Sequence, residues 1–421
     1  MKEIELSSLD MKIYSETLPN GLEIYMIPYE NKKNYYISYA TKFGSDVLKF
    51  DYEGKAYTPP LGIAHYLEHK VFETESGEDP FTFFSESGTG SNAMTSYDNT
   101  KYICYGTKKF EENLRYLLDF VNKPYFTDEN KKKKKGIIAE EIKMYDDLPD
   151  YKIEMKLRQN IYKNHPRKYD IAGTVEEINK ITKEDLYKCY NSFYTPNNMF
   201  VLIVGNFNIK KAEKIIKEEF NDKKEIKLPK IYNIEEKKEV VKKEEVIYEE
   251  IEVPKIGIGV KIPKSTLKMS DTELDLYLNM LTTIIFGSSS EFRERVRLDK
   301  LLNDIYTEWE SSKDYKVFYI FATTTKPDSL MKKIEEELDN ISISEKSFER
   351  IKKVWIANEV KIADDINRMQ RSVYYDIIFY NKVIPNRIDQ IRKMNINKLN
   401  KLIKNINFSN RSKLIALNKN K

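Results

Sequence analysis

Residues 61–73 read LGIAHYLEHKVFE and contain two of the three histidines of the chain. Two prolines precede the stretch and its apolar residues recur at helical spacing, which predicts a short amphipathic helix. Positions four apart on a helix project side by side, so His65 and His69 can reach the same metal ion. Glu68 falls to the other side of His65, close to the metal and free to bind its water. The spacing therefore predicts a metal centre with His65 and His69 as ligands and Glu68 as the general base.

A catalytic zinc ion takes three protein ligands and keeps one position for water, so a third ligand is needed. The stretch 61–73 resembles the inverted zinc signature of the insulinase, or pitrilysin, family of metallopeptidases. The resemblance implies a third ligand in a long helix about seventy residues further along. Residues 136–150, GIIAEEIKMYDDLPD, look like that segment and match the ligand to Glu141. Glu140 stays the alternative, because adjacent helix positions point about 100° apart and only one can face the metal.

A further segment, residues 91–102 with the sequence SNAMTSYDNTKY, resembles the edge strand with which the family binds its substrates. In the family an Asn-Ala pair of this strand holds the substrate backbone, which implies that role for Asn92 and Ala93. A peptide added to a free strand edge is held by main-chain hydrogen bonds rather than by particular side chains. Without the resemblance, the same pair is a turn that enters a strand.

Two positions depart from the family pattern. A second acid usually stands seven residues before the metal-binding glutamate, and this chain has Lys134 there. A lysine cannot accept a hydrogen bond from a ligating imidazole, so either another acid orients His65 or the contact is missing. Active relatives also offer the substrate an Arg/Tyr pair seven residues apart. The nearest candidates here, Arg297 and Tyr306 in FRERVRLDKLLNDIY (292–306), stand nine apart.

Strand-like runs are followed by helical runs in each half of the chain. Residues 223–252, between the halves, are rich in lysine and glutamate, as in a solvated linker. With the resemblance, this order predicts an α+β fold of two homologous insulinase-type (LuxS/MPP-like) domains, each an antiparallel-rich sheet packed with helices. The expected ranges are 1–225 with the zinc site, 226–245 as linker and 246–421. Helical periodicity further predicts one unusually long helix over 129–164 and another over 344–380.

Composition excludes several classes of protein. The 421 residues are 40% hydrophobic, and 71 Lys+Arg nearly balance 67 Asp+Glu, for a net charge of +4. So small a charge predicts neither a nucleic-acid nor a membrane partner. The chain has no apolar run of membrane-spanning length and acids interrupt its first residues, so we expect a cytoplasmic protein. Cys104 and Cys189 stand far apart, which predicts two buried thiols and neither a disulfide framework nor a thiolate metal site.

The resemblance implies a zinc-dependent endopeptidase with one Zn²⁺ per chain, which hydrolyses peptides or short unfolded polypeptides. The alternative is a non-catalytic or partner-dependent subunit that binds peptides within a heterodimer. The wording of the motifs is similar to that of small bacterial members associated with modification of elongation factor P. Such half-size members are similar to one half of the larger enzymes, which implies a dimer with a second copy or with a related chain.

Overall fold

The computed structural model of the protein describes residues 1–420, without the side chains of Ser7 and of residues 128–134. Contacts divide the chain into two compact units, and each unit is assembled from separate stretches of sequence. The first unit comprises Met1–Lys143, Tyr169–Asn233 and Glu359–Arg387. The second comprises Met144–Lys168, Ile234–Asn358 and the remainder from Ile388.

Strands and helices alternate along both halves of the chain. The strands, in chain order, are β1 (Lys2–Leu6), β2 (Met11–Thr17), β3 (Glu23–Pro28), β4 (Tyr35–Thr41), β5 (Phe50–Tyr52), β6 (Lys55–Tyr57), β7 (Gly90–Thr95), β8 (Thr100–Gly106), β9 (Met199–Gly205), β10 (Glu244–Glu249), β11 (Lys255–Pro263), β12 (Asp304–Ser311), β13 (Tyr315–Thr323) and β14 (Arg411–Asn418). The helices, in chain order, are α1 (Ile63–Val71), α2 (Pro80–Glu86), α3 (Phe110–Val121), α4 (Asp128–Asp146), α5 (Pro149–Ile161), α6 (Val175–Lys180), α7 (Lys183–Phe193), α8 (Ile209–Glu219), α9 (Asp271–Phe286), α10 (Glu291–Leu298), α11 (Pro327–Asp339), α12 (Glu345–Ala363), α13 (Ile366–Tyr380), α14 (Arg387–Arg392) and α15 (Ile396–Asn405).

The first unit is built on a seven-stranded sheet in the order β1-β2-β3-β9-β4-β8-β7. Neighbouring strands are antiparallel except β3 and β9, which run parallel. Strand β9, MFVLIVG, is buried along its whole length because alternate side chains enter cores on both faces of the sheet. One core includes residues of α1, α3, α7 and α8, and the other includes Met369, Val373 and Ile377 of α13.

The second unit is built on a five-stranded sheet in the order β10-β14-β11-β13-β12. One of its cores includes residues of α9, α10, α11 and α15. Leu157 and Ile161 of α5 belong to a second core with Val317 and Tyr319 of β13. A Cβ at Gly259 of β11 would lie 2.2 Å from Ile161 Cδ1, so the glycine lets α5 approach the strand closely.

Each compact unit includes one helix from the other half of the chain. Helix α5 packs within the second unit and α13 within the first. An α+β fold with a sheet and helices in each half is confirmed. The ranges proposed for the domains and the linker stay predictions.

The two long helices predicted over 129–164 and 344–380 are each interrupted. Leu148 has extended backbone angles and Pro149 begins α5, so α4 ends at Asp146. Farther along, the Asp365 side chain accepts a hydrogen bond from the backbone of the new helix α13 and ends α12.

The two cysteines are buried and unpaired, which confirms their prediction as small apolar core residues. Over residues 1–420, no helix combines the length and the apolar character needed to cross a membrane.

Candidate metal centre

Two glycines fix where α1 begins. Gly62, directly before the helix, has φ +82°, and a Cβ there would lie 2.2 Å from the carbonyl oxygen of Ala172. Gly173 has φ +74°, and its Cβ would lie 2.7 Å from the carbonyl oxygen of Leu61. Both positions lie in the left-handed region and both backbones touch, so each requires glycine. The first turn of α1 is therefore seated against the loop that precedes α6.

The structure brings His65, His69 and Glu141 together. His65 Nε2 lies 3.5 Å from Glu141 Oε1, and His69 Nε2 lies 3.2 Å from Glu141 Oε2. The centroids of the two imidazole rings are 4.7 Å apart and the rings stand at 76°. One possible ligand atom from each residue lies within 4.8 Å of the others, so the cluster could hold a metal ion. Two ring nitrogens and a carboxylate are the donors that a catalytic Zn²⁺ takes, so the residues present fit that ion.

Helix α4 presents Glu141 rather than Glu140 to the two histidines. Ile138 and Ile142 of the same helix are buried in the core, which fixes the rotation of α4. Glu140 points away from the histidines, and its side chain is 74% exposed and accepts a hydrogen bond from Lys143 at 2.7 Å. The alternative ligand considered from the sequence thus lies outside the cluster.

The three side chains stabilise one another electrostatically. Hydrogen bonds from His65 and His69 hold the pKa of Glu141 well below its usual range, against the opposing effect of burial. Burial lowers the pKa of His65, but the hydrogen bond to Glu141 and the charge of Glu68 outweigh it, so the pKa rises on balance. The cluster is therefore a site where positive charge is favoured.

Glu68 lies beside the cluster without belonging to it. Its side chain is buried, with 9% relative exposure, and the hydroxyl of Thr95 donates a hydrogen bond to Glu68 Oε2 at 2.5 Å. Its negative charge acts on His65 and on two buried tyrosines, Tyr102 and Tyr194. A buried carboxylate next to a possible metal position is suited to exchange protons with a bound water.

The second nitrogen of His65 has no hydrogen-bond partner in the described part of the chain. His65 Nδ1 is buried, and no side chain or backbone group among the described residues bonds to it. A ligating histidine usually donates this hydrogen bond to a carboxylate or carbonyl. The side chain of Lys134 lies outside the described residues, so the effect expected from its departure from the family pattern stays a prediction.

Asn92 and Ala93 lie in β7, the last strand in the order of the first sheet. One edge of β7 pairs with β8, and the other edge has no strand partner over residues 1–420. The Asn92 side chain is exposed, and its Oδ1 accepts a hydrogen bond from the backbone of Ala93 at 2.9 Å. The free edge is of the kind to which an extended peptide can add as a further strand.

Arg297 and Tyr306 are both surface residues of the second unit. The guanidinium of Arg297 donates two hydrogen bonds to Glu294, each 3.0 Å long. The ring of Tyr306 stacks on Phe321 at 5.1 Å and is half exposed. Neither residue is tied to a role by these contacts.

Three residues that shape the site were given no role from the sequence. Gly62 lies in the stretch 61–73 and Gly173 lies between α5 and α6, and the requirement for glycine at both is recognisable only once the positive φ angles are known. Thr95 follows Asn92 by three residues, and nothing in the local pattern indicates that its hydroxyl reaches Glu68.

Comparison with known protein families gives two matches. The model described as Insulinase (Peptidase family M16) matches residues 53–175, which include α1 and α4. The model described as Peptidase M16 inactive domain matches residues 180–354. The candidate metal cluster lies within the first of these matches.

Similar proteins cover nearly the whole chain. The zinc protease YmfH of Bacillus subtilis (strain 168) is 35% identical over 392 residues, which is 89% of this chain and 88% of that protein. A crystal structure from Alicyclobacillus acidocaldarius, described as an M16-like peptidase, has a TM-score of 0.91 at 28% identity and covers 99% of this chain and 100% of its own.

A larger relative shares the fold. The periplasmic protease PqqL of Escherichia coli matches 100% of this chain with 48% of its own, at a TM-score of 0.80 and 17% identity. Two models of this family match most of the chain, and YmfH is 35% identical over 89% of it. The chain therefore belongs to the insulinase family of peptidases, family M16.

Proposed function

We propose that the chain is a zinc-dependent endopeptidase acting on peptides or short unfolded polypeptides. The observation that carries the proposal is the convergence of His65, His69 and Glu141 from two helices, with the buried carboxylate of Glu68 beside them. Relatives named zinc proteases support the same chemistry. Free histidines and acids are common on protein surfaces, but this set combines the donors and the base that metal-assisted hydrolysis needs.

In this proposal His65, His69 and Glu141 hold one Zn²⁺ per chain. When bound, the ion supplies a positive charge that lowers the pKa of water and polarises the scissile carbonyl. Glu68 takes the proton from the attacking water and delivers it to the leaving amine. Burial of Glu68 keeps bulk water away from the carboxylate and the hydroxyl of Thr95 holds one of its oxygens.

The substrate is held by β7. Its free edge offers backbone donors and acceptors to an extended peptide, and Asn92 and Ala93 are the positions we assign to that contact. Recognition through the main chain makes the site tolerant of sequence and restricts it to segments that can become extended. A folded protein domain is therefore a poor substrate, whereas a peptide or an unfolded tail is a good one.

A second candidate function is that of a non-catalytic subunit that binds peptides next to an active partner. The observation that favours it is the buried Nδ1 of His65, which has no partner among the described residues and leaves the ring without the usual orienting bond. Part of the chain also matches a model described as an inactive domain. Against it stands Glu68, because a subunit that binds peptides without cutting them has no use for a buried base.

The experiment is digestion of a mixed peptide library, read by mass spectrometry, with the protein as purified, after chelation and after addition of Zn²⁺. The endopeptidase predicts internal cuts that disappear with the chelator and return with zinc. Retention of peptides without cuts in all three states would replace it with the binding subunit. Cuts that persist without metal would contradict the zinc chemistry itself.

A further inference from the structure

The hydroxyl of Thr95 makes the only hydrogen bond recorded for the Glu68 side chain over the described residues, at 2.5 Å to Oε2. Resting on the function proposed above, we propose that Thr95 is a positioning residue, which aims the carboxylate of Glu68 and links it to the strand that binds the peptide. Thr95 does not touch the metal ligands in this account. Its effect reaches the reaction through Glu68.

The position of Thr95 is fixed by strand pairing. It is the last residue of β7 and stands opposite Thr100, the first residue of β8. The turn between them is closed by a hydrogen bond from the backbone N–H of Ser96 to the carbonyl of Asn99 at 2.8 Å. Thr95 directly precedes this short turn, so the strand register fixes its position along β7.

Buried hydroxyl groups behind Thr95 support its orientation. The hydroxyl of Thr100 is fully buried, donates to the carbonyl of Phe43 at 3.0 Å and lies 3.4 Å from Thr95 Oγ1. The hydroxyl groups of Tyr194 and Tyr102 lie 2.9 Å apart. A carboxylate can only accept, so the single proton of the Thr95 hydroxyl donates to Glu68.

The hydrogen bond from Thr95 is of a kind that can hold the Glu68 carboxylate in one orientation. An O–H to carboxylate hydrogen bond is short and strong because the acceptor is charged. It uses one lone pair of Oε2 and leaves Oε1 free to accept a proton from water. A carboxylate without this bond can rotate between several positions, and each wrong position removes the base from the reaction.

The same bond joins peptide binding to the base. The free edge of β7 is the edge to which the peptide adds, and Thr95 lies on that strand three residues after Asn92. A peptide strand added at this edge restrains the backbone of β7 and therefore the hydroxyl that holds Glu68. Thr95 thus couples the substrate strand to the catalytic carboxylate.

The kinetic test compares Thr95→Val, which removes the hydroxyl and keeps the shape, with Thr95→Ser, which keeps the hydroxyl. We expect Thr95→Val to lower kcat at least about tenfold with KM nearly unchanged, and Thr95→Ser to stay within about threefold of the wild type. Thr17→Val is the matched control, since Thr17 also ends a strand of this sheet and is exposed. A kcat of Thr95→Val within twofold of the wild type, or an equal loss in Thr95→Ser, overturns the proposal.

A second, structural experiment tests the positioning role of Thr95 independently of the peptidase function. Crystal structures of metal-free wild type, Thr95→Ser and Thr95→Val are compared for the position of the Glu68 carboxylate. We expect one position in the first two proteins and a shifted or multiple position in Thr95→Val. An unchanged carboxylate in Thr95→Val contradicts the positioning role even if no variant cleaves peptides. Absence of cleavage by the wild type would instead contradict the peptidase function.

Discussion

At the scale of single residues, the neighbouring acids Glu140 and Glu141 offer a matched pair of substitutions. Glu141→Gln removes the negative charge that faces both histidines, whereas Glu140→Gln removes an exposed charge paired with Lys143. We predict that Glu141→Gln loses bound zinc and at least about 100-fold in kcat/KM, and that Glu140→Gln keeps both. Elemental analysis and peptide cleavage measure the two effects. Zinc retained by Glu141→Gln and lost by Glu140→Gln would reverse the assignment of the ligand.

His165 gives a prediction about pH. Burial and the nearby charge of Arg167 lower its pKa to about 4, in spite of opposing charges on Glu310 and Glu236. Its Nδ1 also accepts a hydrogen bond from the backbone of Arg167 at 3.2 Å, which the protonated ring cannot do. The unfolded chain binds this proton near pH 6.5 and the folded chain near pH 4, so the folded state loses stability as the pH falls through that window.

The measurement is the free energy of unfolding of the wild type and of His165→Asn, which keeps an acceptor without the titrating ring, at pH 7 and pH 5. The wild type should lose about 2 kcal/mol more than the variant between the two values. Carboxylates that titrate in the same range are common to both proteins and cancel in the comparison. An equal loss in both proteins would show that His165 is not held neutral.

At the scale of elements, the start of α1 depends on two glycines that touch across the loop before α6. Gly62→Ala would place a Cβ 2.2 Å from a carbonyl oxygen at a positive φ, so we predict a loss of about 1–3 kcal/mol in the free energy of unfolding. Gly136→Ala is the control, because Gly136 lies inside α4 with nothing within 4 Å of a new Cβ. That variant should gain about 0.5–1 kcal/mol. Thermal unfolding measures both changes in stability. A Gly62→Ala protein as stable as the wild type would contradict the close approach of Gly62 to Ala172.

The sequence predicts best where the signal is local. Residues 61–73 reveal α1 with its histidines because helical spacing and ligand chemistry coincide there, and the free strand at Asn92 is found through its resemblance to the family. Pro149 makes the break between α4 and α5, but the helical periodicity on both sides of it predicts one continuous helix. The contact of Thr95 with Glu68 joins residues far apart in sequence, so no local pattern carries it.

The placement of α13 and α5 is less predictable still. Each helix has an apolar face, and the sequence does not say which sheet will cover that face. In the structure α13 packs with β9 and β4, and α5 with β13 and β14. Such pairings are decided by tertiary packing over hundreds of residues, so no local pattern predicts them.

At the scale of the whole molecule, this chain matches about half of the length of PqqL. We predict that the active species contains two chains, either two copies or this chain with a relative, because the resemblance of its motifs to half-size members of the family implies a dimer. Light scattering coupled to size-exclusion chromatography should give twice the mass of one chain for a homodimer. A monomer with full endopeptidase activity would contradict the need for a second chain.

We propose above that Glu68 is the base of a zinc-dependent peptidase whose metal is held by His65, His69 and Glu141. The most direct measurement is zinc content together with the turnover of one cleaved peptide, for the wild type and for Glu68→Gln. We predict about one zinc per chain in both proteins and a turnover in Glu68→Gln lower by at least about 1,000-fold, because the ligands remain and the proton acceptor is lost. Equal turnover by the two zinc-loaded proteins would contradict the account.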